Sequence, residues 1–127
     1  MNTLLKNKST LVIGASSNPQ RYSNIAIHML REYDYATLAL GLREGEVEGI
    51  SIVKNKELLE SEDIDTITLY LNPSRQREYY QWIVNRKPRR VIFNPGTENP
   101  EFMQMLRENG IEVVLACTLV MLRTGQY

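Results

Sequence analysis

Five short apolar runs recur along the chain at intervals of roughly 20 to 30 residues, each followed by a helical or irregular stretch. They cover residues 10–13, 36–40, 66–71, 91–93 and 112–116. The first four close on Gly14, Gly41, Asn72-Pro73 and Asn94-Pro95-Gly96. Most are continuous rather than alternating, the pattern of strands covered on both faces in a parallel sheet. Between them, apolar positions fall three and four apart. Ile25, Ala26, Met29, Leu30 and Tyr33 share one face of a predicted helix over residues 23–33. Tyr79, Tyr80, Ile83 and Val84 do the same over 73–85, and Phe102, Met103 and Leu106 over 99–109. In the last of these Asn99 reads as the N-cap, Pro100 as the first helical residue and Asn109-Gly110 as the stop. Shorter helices are predicted over 56–62 and 118–123. Residues 43–53, rich in Gly and Glu, break the rhythm and read as a loop with a small extended piece at 50–53.

Strand and helix in repeated alternation predict an α/β domain with a doubly wound sheet. The expected form is a Rossmann-like three-layer fold: a five-stranded parallel sheet in the order 3-2-1-4-5, with helices on both faces. At 127 residues the chain makes one domain, read here as residues 1–127. Fifteen basic and fifteen acidic residues cancel, which argues against broad nucleic-acid or anionic-membrane binding but not against one local anion site. Cys117 is the sole cysteine, so an internal disulfide and a zinc cluster are both excluded, and no metal site is expected. No apolar run approaches the ~20 residues of a membrane span. The first ten residues lack the apolar centre of a secretory signal, and a cytoplasmic location is expected.

In such a sheet a ligand sits beyond the carboxyl ends of the strands, so the turn after the first strand carries the argument. It reads Gly14-Ala15-Ser16-Ser17-Asn18-Pro19-Gln20-Arg21-Tyr22-Ser23. Gly14 permits a tight turn, and the small residues Ala15, Ser16 and Ser17 let main-chain amides approach an anion. A helix beginning near Ser23 aims its dipole and free amides at that anion, and Arg21 can add a charged, forked hydrogen bond. The dinucleotide fingerprint is not met, because Ser16 and Pro19 stand where its later glycines belong. The bland alternative is a surface turn whose small residues only cap a helix. After the second strand the sequence runs Leu40-Gly41-Leu42-Arg43, without the acid that would bond a plain adenosine ribose. Arg43 suits an extra ribose phosphate, as in NADP or coenzyme A, although Glu44 and Glu46 could instead pair with it.

Other residues are weaker candidates. His28 reads as a partly packed helix histidine and Cys117 as a buried, inert thiol. Trp82, Tyr79 and Tyr80 read as packing. The basic run at 86–90 reads as a solvated turn away from the ligand end. No nucleophile, base and oxyanion site come together, so no catalytic residue is assigned and a binding role leads.

The run from Gly14, Ala15 and Ser16 through Pro19, Arg21 and Ser23 resembles that of the small bacterial CoA-binding domain proteins, stand-alone relatives of the nucleotide-binding domain of succinyl-CoA synthetase. The likeness extends over nearly the whole chain. It implies a Rossmann fold that binds coenzyme A by its nucleotide end, with Gly14, Ala15, Ser16, Pro19, Arg21 and Ser23 in the phosphate turn. It also implies roles for Leu71, Asn72 and Pro73 beside the adenine and for Asn94, Gly96 and Thr97 after the fourth strand, and matches Cys117 to a cysteine after the last strand. Ser17, Gly41 and Arg43 join the expected site from the reading of the residues themselves. The chain departs from the family's Val-Asn-Pro after the second strand, where Gly41, Leu42 and Arg43 stand. Two alternatives therefore stay open: an NADP-binding oxidoreductase-type or sensor domain, and a scaffold that has lost its ligand and acts through a partner protein. A homodimer or a partner enzyme is compatible with either.

Overall fold

The computed structural model describes residues 8–127. Residues 1–7, which make up most of the stretch read as lacking a secretory signal, lie outside the described residues. Seven strands form one sheet: β1 (Ser9–Ile13), β2 (Thr37–Leu40), β3 (Gly45–Val47), β4 (Ile50–Val53), β5 (Ile64–Leu69), β6 (Arg90–Phe93) and β7 (Glu112–Leu115). The helices are α1 (Tyr22–Glu32), α2 (Pro73–Gln76), α3 (Tyr80–Arg86), α4 (Pro100–Glu108) and α5 (Thr118–Arg123), with 3-10 turns at Lys56–Leu59 and Arg77–Tyr79.

The sheet order is β3-β4-β2-β1-β5-β6-β7, parallel throughout except for β3, which runs antiparallel to β4. The expected five-stranded parallel sheet is thus corrected to a seven-stranded mixed one. The five strands read from sequence lie in the order 2-1-3-4-5, not 3-2-1-4-5, because β5 sits on the far side of β1 from β2. The place of the third parallel strand belongs to β4. With it counted, the six parallel strands run 3-2-1-4-5-6, the Rossmann order. In the segment read as a loop, the extended piece expected at 50–53 is β4, and it pairs with β3 in a hairpin whose two turn residues, Glu48 and Gly49, both have positive φ (50° and 78°). That is the geometry of a tight two-residue hairpin turn.

Side chains alternate across the sheet. Leu11, Ile13, Ile67, Leu69, Val91 and Phe93 face a core with Ile83 of α3 and Phe102 and Leu106 of α4. Val12 and Ala39 face the opposite core with Ile27, Met29 and Leu30 of α1 and Leu122 of α5. Two apolar layers flank one sheet, so the three-layer expectation stands. The helix expected over 73–85 is interrupted at Arg77–Tyr79 although no Gly or Pro falls there. On either side of the break, the buried Gln76 and Tyr80 are tied to other parts of the fold. α4 begins as expected, with the Asn99 side chain accepting from the Phe102 amide and Pro100 at its first position.

The basic run is not a solvated turn. Arg86 pairs with Glu60 at 3.1 Å and Arg89 with Asp65 at 3.0 Å, while Arg90 is buried and stacks over the Tyr127 ring. It does lie at the amino end of β6, away from the ligand end. His28 is exposed and bonds Glu48 of the hairpin turn at 2.9 Å. Among the described residues, no helix is long and apolar enough to cross a membrane and no cluster of metal-ligating side chains occurs.

Candidate functional site

The chain leaves β1 for β2 on one side, while β5 lies on the other, so the crossovers diverge above β1. This is where an open α/β sheet holds a ligand. Gly14 stands at this point with φ +91°, and a Cβ there would meet the Tyr70 carbonyl carbon and oxygen at 3.0 Å. Both the backbone conformation and the close approach demand glycine. Gly41 is held from the other side. Its Cβ would fall 2.3 Å from the Ala15 carbonyl oxygen, so the ends of β1 and β2 touch through bare backbone. Gly45 repeats the contact one step out, against the Ser17 side chain at 3.2 Å.

The first turn uses part of its own hydrogen-bonding capacity. The Gly14 and Ala15 amides both donate to the Leu40 carbonyl. Asn18 organises the rest: its amide donates to Ser16 Oγ, its side-chain oxygen accepts from the Gln20 amide, and its carbonyl accepts from the Arg21 amide. Pro19 has no amide to offer. What remains is a set of four: the amides of Ser16, Ser17, Tyr22 and Ser23 find no protein acceptor among the described residues. The last two are the first amides of α1, whose N-cap, Arg21, makes no side-chain cap and whose first turn holds no acid. An eleven-residue helix thus presents uncapped donors and the positive end of its dipole to the space above Gly14.

Asn24, which the sequence reading passed over, fixes this geometry. It is 3% exposed, and its side-chain nitrogen donates to the Ser16 carbonyl at 3.0 Å. A polar residue on the apolar face of a helix was the available signal. Arg21 and Arg43 are both exposed, and neither makes an ion pair or side-chain hydrogen bond among the described residues. The alternative pairing of Arg43 with Glu44 or Glu46 does not occur. Ser23 is buried, while Ser17 and Pro19 are exposed.

The loops after β5 and β6 form the other wall. Leu71 is half-buried, Asn72 caps α2 by accepting from the Arg75 amide, and Pro73 occupies its first position. Gly96 is exposed at φ +93°, with its amide on Glu98. Asn94 and Thr97 are buried and spend their side chains internally. Asn94 donates to Thr68 Oγ1 and the Leu69 carbonyl and accepts from the Thr118 amide; Thr97 Oγ1 donates to the Asn94 carbonyl. These two shape the loop from within. Cys117 is half-buried, not fully so, at the N-cap of α5. Burial pushes the Tyr70 phenol well above its usual range, so it stays protonated beside this wall. At the opposite end of the strands, a hollow near Asp65, Arg90 and Tyr127 encloses about 10 Å³. That hollow has room for one water, and an open neighbour of about 210 Å³ lies beside Asp63, Lys87 and Arg89.

Among solved structures, an uncharacterized protein is 44% identical, with a TM-score of 0.89 over 95% of this chain and 98% of its own. Cell-free ID.343 from Thermus thermophilus is 27% identical at a TM-score of 0.82, covering 95% and 91% of the two chains. A hypothetical protein from Pyrococcus horikoshii OT3 is 26% identical at 0.80, covering 92% and 82%. Among curated proteins none matches. The family model described as the CoA binding domain matches residues 8–123, which include the Gly14 turn, both walls and all seven strands of the sheet, and the chain belongs to that family.

Proposed function

We propose that this chain binds coenzyme A or an acyl-CoA, with the pyrophosphate over the turn from Gly14 to Ser23. The observation that carries the reading is the group of four unpartnered amides, at Ser16, Ser17, Tyr22 and Ser23, around an uncapped helix start. Oxygens of a phosphate accept such donors at little cost, because the amides are already in place. Arg21 adds a charge at the rim, and Arg43 supplies a second toward the ribose phosphate. The adenosine lies across Gly41 to Arg43 and Leu71 to Pro73, and the loop from Asn94 to Thr97 borders the pantetheine arm. Asn94 and Thr97 serve there through the main chain they hold, since their side chains are committed elsewhere. The role is that of a cytoplasmic carrier or sensor of the nucleotide, with no reaction assigned.

An acid-free, arginine-bearing strand end also fits the ribose phosphate of NADP, which makes that the second reading. Membership of a CoA-binding family favours the first. A thermal-shift panel of CoA, acetyl-CoA, NADP and NAD separates them. A ligand at 100 times its dissociation constant adds about 2.7 kcal/mol of stability. Stabilisation by CoA and not by NADP is the expected result. The reverse would establish the NADP reading, and no shift with any of the four would leave the scaffold reading.

A further inference from the structure

Gln76 is fully buried, yet its side chain makes three hydrogen bonds at the ligand-facing end of the sheet. Its Nε2 donates one hydrogen to the Leu71 carbonyl at 2.9 Å and the other to the Thr97 carbonyl at 2.8 Å. Those carbonyls belong to the loops after β5 and β6. One carboxamide therefore bridges the two loops and sets the distance between them.

The direction of this carboxamide is dictated from the surface. Glu101 can only accept when ionised, so Tyr80 must donate its hydroxyl hydrogen to Glu101 Oε2, at 2.9 Å. The Tyr80 oxygen is then free to accept from Asn99 Nδ2, at 2.8 Å. Asn99 cannot turn over, because its Oδ1 is occupied by the Phe102 amide. Its second hydrogen goes to Gln76 Oε1 at 2.9 Å, which leaves Gln76 Nε2 facing the two carbonyls. Arg77 holds Glu101 from outside at 3.5 Å. Every donor along this relay has one acceptor direction available, so the network has a single arrangement and both loops inherit it.

We infer that Gln76 is a positioning residue that fixes the gap between the loops of residues 71–73 and 94–97, and so sets the affinity for the part of the ligand lying between them. The inference rests on the proposed function, in which the 71–73 loop borders the adenosine and the 94–97 loop borders the pantetheine arm. Adenosine 3′,5′-bisphosphate keeps the adenosine, the 3′-phosphate and the first 5′-phosphate of CoA but lacks the second 5′-phosphate and the arm, and so provides the comparison. Calorimetric titration of both ligands into the wild-type chain and into Gln76→Met tests it. The variant keeps the bulk and removes the donors. Loss of one such bridge corresponds to about a tenfold change in binding, so CoA, which meets both loops, is expected to weaken by about that factor, and the bisphosphate, which meets only the 71–73 loop, by a clearly smaller one.

Equal changes for both ligands, or no change for either, would overturn the inference, since a merely structural role moves the two together. Should Gln76→Met not fold, Glu101→Met replaces it. That exposed substitution removes the obligatory acceptor without touching the loops. It is expected to shift the same ratio in the same direction by a smaller factor, and an unchanged ratio in the folded variant overturns the inference. A wild-type chain that binds neither ligand overturns the functional reading and this inference together. Wild-type binding with an unmoved ratio overturns this inference alone.

Discussion

The Cα of Gly41 faces the carbonyl oxygen of Ala15 so closely that a methyl group on it would stand 2.3 Å from that oxygen. Real atoms do not approach so near, so one strand end must retreat if Gly41 gains a side chain. The Ala15 carbonyl cannot retreat alone, because the Ala15 amide is bonded to the Leu40 carbonyl. Gly41→Ala is therefore expected to destabilise the fold by roughly 1–3 kcal/mol and to weaken nucleotide binding with it. Chemical denaturation alongside CoA titration checks both, and a variant of wild-type stability would show that the two strand ends are not in contact.

The two rim arginines should separate affinity from stability. Arg21→Ala removes no intramolecular bond made by its side chain, so the melting temperature is expected to stay put. CoA affinity should fall by about 1.5–3 kcal/mol, the usual worth of a hydrogen bond to a charged group. Arg43→Ala should cost less, because Arg43 lies beyond β2 and meets a single ribose phosphate, while Arg21 stands in the turn that takes the pyrophosphate. Calorimetry on both variants decides the order, and an Arg43 effect larger than that of Arg21 would reverse the assignment.

Asn24 connects the helix to the turn it faces. In Asn24→Ala the Ser16 carbonyl loses its donor, at an expected cost of roughly 1–3 kcal/mol. Exchange of the Asn18, Gln20 and Arg21 amides should accelerate before that of the sheet does. Uniform acceleration across the chain would mean that Asn24 supports the global fold and not the turn.

Asp65 predicts the acid response. Burial works to raise its carboxyl, but hydrogen bonds from Arg89 and Thr66 and the charges of Arg89 and Lys8 outweigh it and hold it below the usual carboxylate range. A pKa lower in the folded than in the unfolded state means that the unfolded chain binds the proton more readily. The stabilisation is complete above the unfolded value of about 3.9 and is lost as pH falls through the folded value. Asp65→Asn should therefore be less stable at neutral pH and show a shallower loss of stability on acidification. Denaturant titrations at neutral and acid pH test this; identical slopes for the two proteins would remove Asp65 from the acid transition.

Legibility followed chemistry that is local. The runs at 10–13, 91–93 and 112–116 needed only their own apolar residues to be read, and Asn99-Pro100 announced α4 by itself. The hairpin did not announce itself, because Glu48 stands where Asn or Asp usually marks a two-residue turn and β3 buries only Val47. With β4 unrecognised as a full strand, β5 took its place in the expected order. β5 itself starts two residues early, at Ile64, since Asp65 is a poor strand residue until Arg89 from the next strand's approach pairs with it. The turn at Gly14 was legible in its composition. Which of its amides stay open was not, because that depends on Leu40 and Asn24 arriving from elsewhere. The same holds for Gln76, whose partners Leu71, Thr97 and Asn99 meet only in the folded chain.

In the proposed complex four particular amides receive the phosphates. Backbone amide NMR of the labelled protein, followed through a CoA titration, reads those positions one at a time. Ser16, Ser17, Tyr22 and Ser23 are expected to show the largest downfield shifts, while Gly14 and Ala15, already bonded to Leu40, move little. Saturable binding that leaves those four resonances in place would contradict this placement of the phosphates.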